Sequence, residues 1–129
     1  MRKLIMTLFI ILSVAALAFA APYEVSKKAG DITVGSVFDK NPPVTGKNKV
    51  TVTIKDSKQA PVDAKVAVYY SMPAMAGMPA MDYKTVADGK NGVYTATLDL
   101  GMSGPWNVEV RFILPNKELR KVAYTVDVR

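Results

Sequence analysis

Neither cysteine nor histidine occurs among the 129 residues. Their absence removes thiol nucleophiles, imidazole bases, disulfide cross-links and zinc sites of the usual nitrogen and sulfur kind, and with them hydrolases built on a catalytic triad. We therefore expect a protein that is not an enzyme. Charge of one sign is scarce too: 17 Lys and Arg stand against 11 Asp and Glu, and they are dispersed. The densest basic cluster, Lys117 with Arg120 and Lys121, encloses Glu118 and carries no interleaved aromatics, which argues for a solvated hairpin and against nucleic acid as a partner. The length suits a single domain.

The one long apolar run lies at the start. Arg2 and Lys3 precede an apolar stretch from Leu4 to Ala16, and Ala18-Phe19-Ala20 supplies a small-x-small cleavage pattern, so residues 1–20 are expected to be a signal peptide cut after Ala20. The rival reading is a retained membrane anchor, since Leu4 to Ala21 is interrupted only by Thr7 and Ser13 and comes near the ~20 residues a bilayer requires. Its alanine-rich end favours cleavage. No cysteine follows to take a lipid. The expected product is a periplasmic or secreted chain from Ala21 to Arg129, not inserted in the membrane, with 15 basic and 11 acidic side chains and a net charge of +4.

Residues 21–30 lack a period and are expected to form a flexible lead or a short edge strand. From Asp31 onward, short runs rich in Val, Ile, Thr and Tyr alternate with Gly, Pro, Asn and Asp clusters, the texture of an all-β domain. Seven runs can be counted: Ile32 to Phe38, Lys49 to Lys55, Ala64 to Tyr70, a weak one near Tyr83 to Val86, Val93 to Leu100, one centred on Trp106 to Phe112, and one ending in Val128. In the sixth, Trp106, Val108, Val110 and Phe112 alternate with Asn107, Glu109 and Arg111, so one face is buried and Trp106 is expected in the core. Asp88-Gly89-Lys90-Asn91-Gly92 is a turn by composition. The count and spacing predict an all-β fold, an immunoglobulin-like seven-stranded antiparallel β-sandwich over residues 31–129, with a small closed barrel as the rival.

What is plentiful is methionine in one place. Four of the five methionines beyond the leader fall in ten residues, as Met72, Met75, Met78 and Met81, and the fifth is Met102. Pro73, Gly77 and Pro79 oppose a helix, so the segment reads as a loop with extended or polyproline-like stretches. In an ideal polyproline helix, sulfurs three residues apart would lie roughly 9 Å apart, too far to share an ion. The chain must fold back, and Ala76-Gly77 is where glycine permits a reversal that brings Met75 and Met78 together. If the runs go up and down in sequence, the loop holding Met102 falls at the same end of the sandwich as the other four.

Thioether sulfur is soft, neutral and polarisable; it suits Cu(I) or Ag(I) and serves hard or borderline ions poorly. Without imidazole, Cu(II) should bind only weakly. Two other uses of the same residues stay open on sequence grounds: gap-filling at the open end of the sandwich, and an adaptable apolar surface for a protein partner.

The ordered set of Met72 to Met81, Asp82-Tyr83-Lys84, Gly92-Val93-Tyr94, and Leu98 to Trp106 with Asn107-Val108 resembles the YtkA-like domain family, related to FixH-like proteins, over about Asp31 to Arg129. The resemblance implies a small exported or membrane-anchored β-sandwich without catalytic activity, of a kind met alongside copper-efflux or oxidase-maturation systems. It maps the family's methionine loop onto Met72, Met75, Met78 and Met81 and its second methionine onto Met102. This chain departs from copper-related relatives in having no histidine near the methionines, and from FixH-like proteins in its cleavable-looking N-terminus. The joint expectation is a monomeric Cu(I) or Ag(I) carrier or chaperone. The competing expectation is an adaptor whose methionine end docks a copper-efflux or oxidase-assembly membrane protein; a small-molecule binder with a sandwich-end cavity is a third.

Overall fold

The computed structural model describes residues 23–129; the signal-peptide and anchor readings lie outside the described residues. Eight strands follow in order: β1 (Tyr23–Ala29), β2 (Ile32–Phe38), β3 (Gly46–Lys55), β4 (Lys65–Met72), β5 (Met81–Lys90), β6 (Val93–Leu100), β7 (Gly104–Ile113) and β8 (Leu119–Val128). All neighbours pair antiparallel in the order β1-β2-β3-β6-β5-β4-β7-β8. The fold is an all-β, immunoglobulin-like sandwich that nearly closes on itself. Among the described residues no helix is long and apolar enough to cross a membrane.

The alternating runs set the core. Val50, Val52 and Ile54 of β3, Tyr94, Ala96, Leu98 and Leu100 of β6, and Trp106, Val108, Val110 and Phe112 of β7 all point inward and are buried, as period-two patterning requires. Trp106 is fully buried.

Two corrections concern the strand count. Within the stretch expected to be a flexible lead or a short edge strand, residues 23–29 take the edge-strand form: β1 pairs along its whole length with β2, from Tyr23 opposite Phe38 to Ala29 opposite Ile32. The sandwich therefore has eight strands and not seven. Its sequence hides this because β1 covers the core with only one face of one edge, so few of its residues need be apolar. The second correction is β5, which runs for ten residues where the sequence predicts a weak run near Tyr83 to Val86. Residues up to Ala87 pair with β4, and Asp88–Lys90 pair with β6. By turning this corner β5 joins the two layers, and a strand that is an edge of both buries only Ala87; the alternation that marks an interior strand is lost. The turn accordingly shrinks from Asp88–Gly92 to Asn91 and Gly92, with φ of 55° and 77°, the two-residue loop that Asn-Gly favours.

The far edges meet across a seam. Arg120 of β8 donates to the carbonyl of Ala29 at 2.8 Å and pairs with Asp31 at 2.7 Å, while Tyr124 packs edge-on against Phe38 with ring centroids 6.3 Å apart. The hydroxyl of Tyr124 is buried and has no hydrogen-bond partner among the described residues. Burial pushes it up to about 12, and the nearby Ser36 side chain offsets part of that rise without completing a hydrogen bond.

Candidate functional site

Antiparallel alternation brings the Tyr23 end of β1, the loops after β2, β4 and β6, and the end of β8 to one pole. There, the backbone N–H of Thr45 donates to the Arg129 carbonyl and that of Arg129 to the Pro43 carbonyl. Asn48, fully buried, satisfies its side chain on the backbone of Val44 and Gly46. These bonds tie the β2–β3 loop to the end of β8 at this pole.

The β4–β5 connection is a continuation of the hairpin. Met72 lies opposite Met81 as the last pair of the β4–β5 ladder. Past Pro73-Ala74 and Pro79-Ala80, which break the ladder, Met75 and Met78 form an isolated antiparallel bridge in the same register. The bridge is closed by two backbone bonds, Met75 N–H to the Met78 carbonyl at 3.1 Å and Met78 N–H to the Met75 carbonyl at 2.8 Å. Ala76 and Gly77 make the reversal, with Gly77 at φ 80°, which a residue with a Cβ adopts only at a cost. The reversal expected at Ala76-Gly77 is what the chain forms. Directly opposed residues share a face, with Cα atoms about 5.5 Å apart in a hydrogen-bonded pair. Spacing by three thus becomes two cross-strand methionine pairs, Met72 with Met81 and Met75 with Met78.

Their environments differ. Met75 is 43% exposed and Met78 38%, whereas Met72 is 2% exposed; its methyl lies against Gly104, where an added Cβ would come within 3.1 Å of it. Met81 and Met102 are partly buried and pack against the core. Met102 lies on the β6–β7 loop at this pole, and its carbonyl accepts the indole N–H of Trp106 at 2.9 Å. The register and these contacts bring all five methionines to one end, two of them at a projecting tip, two at its base and one in the core.

Beneath them is an aromatic cluster that sequence reasoning missed. Tyr70 and Tyr83 stack at 5.3 Å, and both lie tilted against Trp106, at 6.0 and 6.2 Å. Tyr83 is nevertheless 46% exposed, because beyond Ala87 towards the methionine pole β5 and β6 no longer pair and the sandwich is open between them. The Tyr70 hydroxyl accepts the Asp99 N–H at 3.3 Å across that opening. The signal was available in the register: Tyr70 precedes Met72 by two and Tyr83 follows Met81 by two, so opposition of the methionines entails opposition of the tyrosines.

Among the described residues no group of three or more Asp, Glu, His or Cys side chains could hold a metal ion. The ionisable groups that are shifted lie away from this pole. Arg120 beside them holds Asp31 and Glu118 below the usual carboxylate range, and Arg111 does the same to Glu109. Beside exposed charged groups such as Asp82 and Arg129, the pole presents thioether sulfur and aromatic surface.

The family model described as YtkA-like matches residues 26–111. The chain belongs to the YtkA-like family. The match runs from within β1 through most of β7, and so includes the whole methionine hairpin, Met102 and the aromatic cluster of this YtkA-like domain. Against the resemblance read over about Asp31 to Arg129, it begins earlier, within β1, and ends earlier, within β7, leaving out β8. No curated protein matches the chain.

Proposed function

We propose that this YtkA-like domain is an exported, non-catalytic carrier or chaperone for a soft monovalent ion, Cu(I) with Ag(I) as its surrogate, and that it acts as a monomer. The observation that carries the reading is the bridged pair of Met75 and Met78 at an exposed tip, with Met81 and Met102 at its base. Two thioethers fixed on one face of a short hairpin are already partly organised for a common ion, and a third donor lies within the same end of the fold. Soft, neutral donors of this kind favour Cu(I) and Ag(I) over Zn, Mg or Ca. Binding would release no protons, so it should hold in acid. Met72, buried beneath the pair, then serves as packing that fixes the base of the hairpin.

The export component rests on residues 1–20 as a leader. A partner such as a copper-efflux or oxidase-assembly membrane protein would receive or deliver the ion at the exposed tip.

The test is competition for Cu(I) against a chelator of known affinity, comparing the purified protein with Met75→Leu, Met78→Leu, Met81→Leu and Met102→Leu. Loss of competition on replacing Met75 or Met78, with stability changed by less than ~1.5 kcal/mol because leucine nearly keeps the volume, is the expected result. Equal competition across the series rejects the site. In that case a crosslinker placed at position 76, recovering a membrane protein whether or not metal is present, would favour the adaptor reading.

A further inference from the structure

The two methionines best placed to meet an ion are also the two most open to a small oxidant. Met75 and Met78 are 43% and 38% exposed, while Met81 and Met102 pack partly into the core and Met72 is 2% exposed. Thioether oxidation follows access to the sulfur. The backbone bonds that form the hairpin tip use main-chain atoms only, so a change at either sulfur leaves them intact. Resting on the soft-ion reading above, we propose that Met75 and Met78 are paired oxidation sites, and that a peroxide converts them to sulfoxides and so abolishes soft-ion binding without loosening the fold.

The step balances with one peroxide per sulfur. A sulfur lone pair attacks one peroxide oxygen, the O–O bond breaks, an S–O bond forms, and the departing oxygen leaves as water after taking up the proton. Sulfur loses two electrons and the peroxide gains them. The product places a polar, hard oxygen where a soft donor stood. At the tip this costs little packing; at Met72 the same oxygen would enter the core beside Gly104. Exposure therefore separates a switching pair from a structural methionine. A thiol-driven methionine sulfoxide reductase, of both epimer specificities, would return the thioethers and with them the site.

The experiment exposes the purified protein to hydrogen peroxide at limiting dose and follows all five methionines by peptide mass mapping, with a urea-unfolded sample alongside. Expected is conversion of Met75 and Met78 at least about fivefold faster than Met72 in the folded protein, with the difference collapsing in urea. The near-ultraviolet signal of Trp106 and the melting temperature should not change at that stage. The doubly oxidised protein should lose Cu(I) competition and regain it after reductase treatment, and Met75→Gln with Met78→Gln, which mimics the polarity of the sulfoxide, should bind no Cu(I) while remaining folded. Uniform oxidation of all five, or loss of the Trp106 signal with the first oxidations, would each overturn the proposal while leaving the ion site standing; doubly oxidised protein that competes as well as the reduced form would overturn the proposal and the ion site together. If the untreated protein itself fails to compete, the ion site falls, and the switch with it.

Discussion

Trp106 and Met102 are joined by a single hydrogen bond, indole N–H to backbone carbonyl, 2.9 Å long and spanning four residues. Because the ring is fully buried, this bond ties the short β6–β7 loop, which strand direction has brought to the methionine pole, to the core. Trp106→Phe retains an aromatic body but removes the donor and leaves a void. The expected cost is about 2 kcal/mol in urea unfolding, with a displaced Met102 methyl resonance. A Met102 resonance that stays in place would show that the loop holds itself.

Gly77 offers a test of the hairpin separate from the core. At φ 80°, with nothing within 4 Å of an added Cβ, Gly77→Ala adds no clash and pays only for the left-handed backbone, about 1 kcal/mol. Because the tip can open without global unfolding, the overall midpoint should barely move. Amide exchange at Met75 and Met78 should instead rise by roughly fivefold, the factor that such a penalty implies, and Cu(I) competition should weaken. Unaltered exchange at those two amides would mean that the bridge does not depend on the turn.

Interior strands were legible in the sequence because burial on one face imposes a period. Every residue read as inward in β3, β6 and β7 is buried. The edges were only half legible for the same reason: β1 and β5 each bury little, so the sequence left 21–30 between a flexible lead and an edge strand and marked only a weak run near Tyr83 to Val86. The methionine hairpin was half legible. Gly77 marked the reversal that brings Met75 to Met78, and strand direction put Met102 at the same pole, but spacing by three concealed that Met72 faces Met81. Which sulfur is buried depends on the layer above it, and local sequence carries no record of that. Tyr83 shows the limit most clearly, since its half-exposed stack on Tyr70 exists only because β5 leaves β6 at the corner.

Met72 and Met75 should therefore respond oppositely to truncation. Met72→Ala empties a buried position and is expected to cost about 2 to 5 kcal/mol, whereas Met75→Ala at the exposed tip should stay within about 0.5 kcal/mol. For ion binding the ranking reverses, with the larger loss at Met75. Chemical denaturation and Cu(I) competition on the same two variants decide the matter; parallel losses in both assays would mean that the hairpin is one packed unit.

The β1–β8 seam should weaken in acid. Asp31 and Glu118 both face Arg120, and each is held below its ordinary value of 3.8 or 4.5 by that guanidinium. A carboxyl with a lowered value in the fold binds fewer protons there than in the unfolded chain. Its contribution is complete above the ordinary value and drains away as pH falls through the folded one. Both groups are solvent-exposed, so the effect is expected to be small and salt-sensitive. Arg120→Gln should flatten the stability profile below pH 4.5 and raise amide exchange along β1. A variant with the same acid limb as the parent would place the acid sensitivity elsewhere.

Tyr124 sets the opposite limb. Its hydroxyl is buried between β8 and the first two strands with no hydrogen-bond partner among the described residues, and burial raises it from 10.0 to about 12. Below pH 10 the group is protonated in both states and contributes no slope. Above that, the unfolded chain loses its proton first, so stability falls as pH climbs from 10 towards 12, by at most about 1.4 kcal/mol per pH unit. Tyr124→Phe abolishes this slope and also frees the core from an unsatisfied polar atom, so the variant should be as stable as the parent at pH 7 or more stable by up to about 1 kcal/mol. The edge-on packing against Phe38 is retained, because it uses the ring and not the hydroxyl. Urea unfolding at pH 7 and pH 11 separates the two effects: a destabilised phenylalanine variant at neutral pH would show that the hydroxyl has a partner after all, and an unchanged alkaline slope would assign that limb to other tyrosines or to the lysines.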